Sequence, residues 1–165
     1  MWQMNCDRLV KLRNILLFLL LFFSGLTSCS TVSDLYDDNN SDPYIVKKIE
    51  SFYHVWVKTP YRYGGNSLKG TDCSGLTKIF YQQNVGKTLP RITTKQARIG
   101  KEVNQLSAGD LVFFKSGRGT TGLHVGIYYK NGLFLHVSSK KGVQYANLKD
   151  DYWRKKYWKA RRIID

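Results

Sequence analysis

The sequence predicts an α+β domain over residues 43–165, with N-terminal helices packed on an antiparallel β-sheet. Three observations carry this. Ile45, Ile49, Phe52, Tyr53 and Trp56 recur at helical spacing near the start of the stretch. From Leu111 onward the apolar residues fall instead in short continuous or alternating runs, the habit of strands. Helices come first and strands later, and no repeat or low-complexity segment interrupts the stretch. A chain of this size buries roughly two thirds of its unfolded surface in one core.

In chain order, residues 1–28 read as an export leader and stand apart from the fold. Arg8, Lys11 and Arg13 form a positive start, Ile15 to Phe23 an apolar run, and small residues follow. The apolar run falls short of the about 20 residues that a spanning helix needs. Leu26-Thr27-Ser28-Cys29 resembles a bacterial lipobox, which implies removal of the leader and acylation of Cys29. Several acyl chains on one residue exceed what stable membrane anchoring requires. Ser30, in place of an aspartate, implies the outer membrane facing the periplasm. Residues 29–42 then read as a lipidated acidic tether, with Asp34, Asp37, Asp38 and Asp42, no basic residue and too little apolar content to fold. Pro43 ends it.

Tyr44 to Lys58 is expected as an amphipathic helix ending before Pro60. Tyr61 to Thr71 is a glycine-rich loop. Asp72 is a suitable N-cap for a second helix from Cys73 to about Gln83. Beyond Leu89-Pro90-Arg91, Thr94 to Lys101 suggests a shorter helix. Strands are expected at Leu111 to Phe114, Val125 to Tyr129, Leu133 to Val137, Val143 to Ala146 and Ala160 to Ile164.

The whole chain carries a formal charge of +14. The leader holds +2 and the tether −4, which leaves +16 on residues 43–165. So basic a domain favours an anionic polymer. An exported lipoprotein meets little nucleic acid, so nucleic acid is excluded as its partner. The carboxylates of peptidoglycan stem peptides fit better. The bland reading of any single lysine or arginine is a solvated face.

The cysteines sort by position. Cys6 lies in the leader and Cys29 closes the lipobox, so Cys73 alone is free for chemistry, with no pair left for a structural disulfide. At the first turn of a helix, unpaired amides and the helix dipole favour its thiolate and an oxyanion beside it. A buried, inert cysteine is the competing reading. His54 falls in the first helix, as a surface or core-edge residue. His124 and His136 flank Asn131-Gly132, a hairpin signal. A two-residue loop would put them on opposite faces. A three-residue loop, Lys130 to Gly132, pairs Tyr129 with Leu133 and brings them onto one face, diagonally placed, with Gly126 leaving room for an imidazole. A thiol, a base and an orienting group suffice for nucleophilic catalysis. A zinc site is disfavoured, because no Cys-x-x-Cys or His-x-x-x-His pairing is present.

Five blocks, in order, resemble the NlpC-type cell-wall cysteine peptidases: Tyr61-Arg62-Tyr63-Gly64-Gly65, Asp72-Cys73-Ser74-Gly75-Leu76, Leu89-Pro90-Arg91, Gly109-Asp110-Leu111-Val112-Phe113-Phe114 and His124-Val125-Gly126-Ile127-Tyr128. The lipoprotein endopeptidases of that family match best in length and layout. The resemblance implies a circularly permuted papain-like fold, with Cys73 as nucleophile, His124 as general base and His136 as third polar residue. Tyr61 matches the tyrosine placed beside the cysteine as an oxyanion donor. Asp72, Ser74 and Arg91 are further candidates for the oxyanion and substrate region. The implied reaction is hydrolysis of stem-peptide bonds, either D-γ-glutamyl–diaminopimelate or the cross-link, by a monomer that needs no cofactor or metal. A non-catalytic wall-binding lipoprotein and an amidase or acyltransferase on another substrate are the alternatives.

Overall fold

The computed structural model describes residues 41–117 and 121–164. The leader, Cys29 and the tether up to residue 40, on which the export and lipid expectations rest, lie outside the described residues. Helix α1 (Pro43–Trp56) starts where Asp42 accepts a hydrogen bond from the Tyr44 amide at 2.8 Å. Pro43 occupies its first turn, where a missing N–H costs nothing. Its buried stripe is Ile45, Ile49, Phe52 and Trp56, at the spacing the sequence displays. The helix ends two residues earlier than expected. The chain past it is stitched to a distant strand, with the Lys58 amide bonded to the Val143 carbonyl and the Val143 amide to the Thr59 carbonyl.

Within the glycine-rich loop, β1 (Asn66–Ser67) and β2 (Gly70–Thr71) form a small antiparallel hairpin. Helix α2 (Cys73–Asn84) follows at once, and a short α3 (Thr93–Gln96) comes after Leu89-Pro90-Arg91. The longer helix expected to reach Lys101 is a misreading. Lys101–Val103 is β3, drawn into the sheet by pairing with Ala160 to Arg162. Strands β4 (Leu111–Lys115), β5 (Leu123–Tyr128), β6 (Leu133–Ser138) and β7 (Gly142–Asn147) lie close to their expected positions. A helix the sequence reading lacked, α4 (Asp151–Lys156), leads directly into β8 (Tyr157–Arg162).

The main sheet has the order β3-β8-β4-β5-β6-β7, with every neighbouring pair antiparallel. One face carries Leu111, Phe113, Val125, Ile127, Leu135 and Val137 against α1 and α2. The other carries Val112, Phe114, Tyr128, Phe134 and Ala160 in a second core that Trp153 of α4 helps to cover. Each fully buried Val, Leu, Ile or Phe side chain among them contributes about 1.5–3 kcal/mol. Arg162 grips the buried Asp110 with two hydrogen bonds, at 2.9 and 2.7 Å, tying the end of β8 to the start of β4. The arrangement is the α+β one expected, and it places the start of α2 beside the middle strands.

Candidate active site

Cys73 sits at the first position of α2, half-buried and unpaired. Its place is fixed by Asp72. One oxygen of that carboxylate accepts from the Gly75 amide at 2.7 Å, as an N-cap, and the other from the Gly64 amide at 2.8 Å. Arg91 then closes on both oxygens at 2.8 and 2.7 Å, and its guanidinium also reaches Ser74 Oγ and the Gly65 carbonyl. Burial opposes the charge on Asp72, but Arg91 and the two amides outweigh it and hold the carboxyl below its usual range. Asp72, Ser74 and Arg91 therefore form one closed network that joins the glycine loop, the helix start and the Leu89-Pro90-Arg91 segment. Gln96, buried, donates to the Ser74 and Pro90 carbonyls, which fastens the same segment from behind. Thr93 Oγ1 stands 3.8 Å from the Cys73 sulfur.

The histidines are brought together by the hairpin register. Tyr128 pairs with Phe134 and Ile127 with Leu135, and the Tyr129 amide bonds to the Leu133 carbonyl, which is the three-residue loop. Gly132 takes φ = +78° in that loop, a conformation costly for other residues. His124 Nε2 then lies 3.1 Å from His136 Nδ1. Gly126 is needed, though not to accommodate an imidazole: a Cβ there would fall 2.6 Å from the Phe134 ring. Trp153 stacks on His124 at 5.4 Å between centroids and meets His136 edge-on at 4.9 Å. The far nitrogen of His136, Nε2, faces the side-chain amide nitrogen of Gln144 at 3.4 Å.

These surroundings decide the charge state. Burial, then the neighbouring His136, pulls His124 down to about 3, and burial pulls His136 down to about 4. Burial pushes the Cys73 thiol up, against the Thr93 hydroxyl and the amides of Val125 and Ser74. The helix-start argument for a lowered thiol is thus overturned, because desolvation exceeds what the helix end supplies. These shifts all favour the uncharged forms of the thiol and of the two imidazoles. Burial, with Cys73 and Asp72 nearby, also raises Tyr61, so its hydroxyl keeps its proton and remains a donor. Tyr61 is held in place by a bridge to Thr71, two residues before the cysteine.

Cys73, His124, His136, Tyr61, Asp72, Ser74 and Arg91 all line a single cleft of ≈ 630 Å³. His54 is elsewhere, exposed on α1. Thr93, Gln144 and Trp153 line the cleft too and were not singled out by the sequence. Gln144 could have been found by pairing Leu133–Ser138 with Gly142–Asn147, which sets it opposite His136. Trp153 gave no comparable signal, because it lies in an unrecognised helix. Among the described residues, no group of three or more His, Cys, Asp or Glu side chains is placed to hold a metal ion.

Known proteins resemble this chain over most of the described residues. A family model described as the NlpC/P60 family matches residues 58–162. The chain is 49% identical over 110 residues to the "Probable endopeptidase NlpC" of Escherichia coli, covering 66% of this chain and 71% of that protein. It is 36% identical over 143 residues to the Escherichia coli "Murein DD-endopeptidase MepS/Murein LD-carboxypeptidase", covering 86% and 75%. Among solved structures, a lipoprotein-like NLP/P60 protein from Staphylococcus aureus superposes with a TM-score of 0.67 at 31% identity. That match covers 78% of this chain and less than half, 44%, of the larger protein.

Proposed function

The chain belongs to the NlpC/P60 family, and on that footing we propose that it is a peptidoglycan endopeptidase in which Cys73 is the nucleophile, His124 the general base and His136 the orienting group. The observation that carries the residue roles is the meeting of Cys73 and the 3.1 Å histidine pair in one cleft. His124 Nε2 is occupied by His136, so Nδ1 is the nitrogen that serves the thiol. As Cys73 Sγ attacks the scissile carbonyl carbon, its proton passes to His124 Nδ1. The Gly75 and Leu76 amides are already engaged by Asp72. With the Ser74 amide turned to the Cys73 sulfur, the Cys73 amide and the Tyr61 hydroxyl serve as donors to the tetrahedral oxyanion. His124 returns the proton to the leaving amine, leaving an acyl-cysteine. Water, deprotonated by His124, then releases the acyl group and restores the thiol.

Two relatives are named as endopeptidases, one of murein, which supports stem peptides as the substrate. The scissile bond is the cross-link between stems or the D-γ-glutamyl–diaminopimelate bond. Purified sacculi digested with wild-type and Cys73→Ala protein, with the new termini identified by mass spectrometry, separate the two. Release of no muropeptide by the wild type would leave a wall-binding role, and release of another acyl product an amidase or acyltransferase.

We also propose a place in the cell envelope, with a lipid on Cys29 and residues 29–42 as a tether for the catalytic domain 43–165. No helix of the described residues is long and apolar enough to cross a membrane. Cys29→Ser should leave unprocessed precursor and abolish labelling by a fatty-acid probe. Persistent labelling would overturn the lipobox reading.

A further inference from the structure

The mechanism leaves one contact in the cleft without a purpose: the Gln144 side chain against the far nitrogen of His136. We propose that Gln144 is a positioning residue that sets the tautomer of the histidine pair by accepting a hydrogen bond from His136 Nε2–H through its amide oxygen. The proposal rests on Cys73 acting as nucleophile.

Three constraints converge on it. His136 and Gln144 are direct cross-strand partners in the β6–β7 ladder, so their side chains stand side by side at a fixed register. The 3.4 Å separation, at the long end of hydrogen-bonding range, is to the Gln144 amide nitrogen, and a half-turn of the terminal amide puts its oxygen there without moving other atoms. Proton counting then chooses between the two orientations. If the amide nitrogen donated to His136 Nε2, His136 would carry its proton on Nδ1 and donate it to His124 Nε2. His124 would then hold its own proton on Nδ1, with no lone pair to take one from Cys73. With the amide oxygen accepting, every proton shifts one place. His136 carries Nε2–H, its Nδ1 accepts from His124 Nε2–H at 3.1 Å, and His124 Nδ1 is free to act as a base. The partner of the last nitrogen thus decides whether the first can work.

The backbone next to His136 also bonds its ring, and that hydrogen bond at Val137 favours the protonated form. Trp153 and Phe134 present ring faces and edges to His136. The titratable and charged groups that share the cleft are Cys73 from α2, Tyr61, Tyr63 and Asp72 from the preceding loop, Arg91 before α3, and Tyr152 from α4. Asp72 and Arg91 are bound to each other.

The test uses two variants of the full-length protein, assayed on muropeptides. Gln144→Met fills the same space with no acceptor, and Gln144→Glu keeps an acceptor but removes the donor. Gln144→Met should lower kcat by at least about tenfold, within the about 10⁴ that a wrong tautomer costs an enzyme triad, with KM unchanged. Gln144→Glu should keep kcat within about threefold on the pH plateau and move the acid limb of the rate profile upward, because a carboxylate favours the protonated pair. Equal loss in both variants, or no loss in Gln144→Met, would overturn the assignment. Should Gln144→Met melt early, Gln144→Glu alone decides: an unmoved acid limb counts against the proposal. Nitrogen-15 shifts of the imidazoles read the tautomer without substrate, so this result stands apart from whether the protein cleaves wall. His136 protonated at Nε2 is expected, and protonation at Nδ1 would sink the idea.

Discussion

His124 and His136 are twelve residues apart in the chain, yet their Nε2 and Nδ1 atoms meet at 3.1 Å across the β5–β6 hairpin. That single contact orders the roles in the cleft. It commits one nitrogen of His124 inward and, in the proposed mechanism, leaves the other for Cys73.

Loss of catalysis should follow this order. Cys73→Ala and His124→Ala are each expected to reduce muropeptide release at least about a thousandfold, since residues acting as a unit fail together. His136→Asn retains a hydrogen-bonding group and should keep measurable turnover. Near-wild-type release by Cys73→Ala would remove the basis for a cysteine mechanism.

The rate profile should extend far into acid. His124 at about 3 and His136 at about 4 are neutral and competent well below the ordinary histidine value. The acid limb of kcat/KM is therefore expected near pH 3–4 rather than 6.5. Iodoacetamide should alkylate Cys73 with a midpoint above that of an ordinary thiol, because burial raises it. A limb at the free-histidine value together with a lowered thiol midpoint would instead indicate a resting thiolate–imidazolium pair.

Stability should show the same groups with the expected sign. Both histidines have folded values depressed below the unfolded one, so the unfolded chain binds more protons as pH falls. Stability is full above about pH 6.5 and is lost on descending through the interval towards 4 and 3, at up to about 1.4 kcal/mol per pH unit for each histidine. Thermal melts of wild type and His136→Asn check this, the variant showing the shallower slope. Identical slopes would mean that the pair is solvated.

Trp153→Ala should uncover both imidazoles. Their values should rise towards that of free histidine, and the acid limb should move upward with them. A limb that stays in place would show that the enclosure comes from Phe114 and Phe134 alone.

Asp72→Ala removes a helix cap and strands the Arg91 guanidinium. A loss of about 2–3 kcal/mol in denaturant unfolding is expected. Arg91→Met should cost less, because Asp72 keeps its two amide donors. A double-mutant cycle with no coupling would refute the closed network.

Much was legible beforehand because it depends on local chemistry. The buried stripe of α1 follows from helical spacing, the start of α2 from an N-capping aspartate, and the central strands from short apolar runs. The candidate residues were legible too: a lone thiol, two histidines about a hairpin and five ordered blocks all lie in sequence. Lys101–Val103 was not legible, because only the distant partner Ala160–Arg162 makes it a strand. Asp151–Lys156 was not legible either: its residues are half or fully exposed and show no apolar period, so that helix is defined by where Trp153 lands rather than by its own pattern.

Sequence by itself determined which side chains were available to act and on which kind of element each would sit, because capping, periodicity and turn chemistry are short-range. Tertiary structure decided three further things. It chose the three-residue hairpin loop over the two-residue one, and so put both histidines on one face. It enclosed them under Trp153, and set Gln144 against the outer nitrogen. It also reversed the expected thiol shift. A helix end acts over one turn of chain, whereas desolvation is set by everything that packs around the group, and that exists only once the chain has folded.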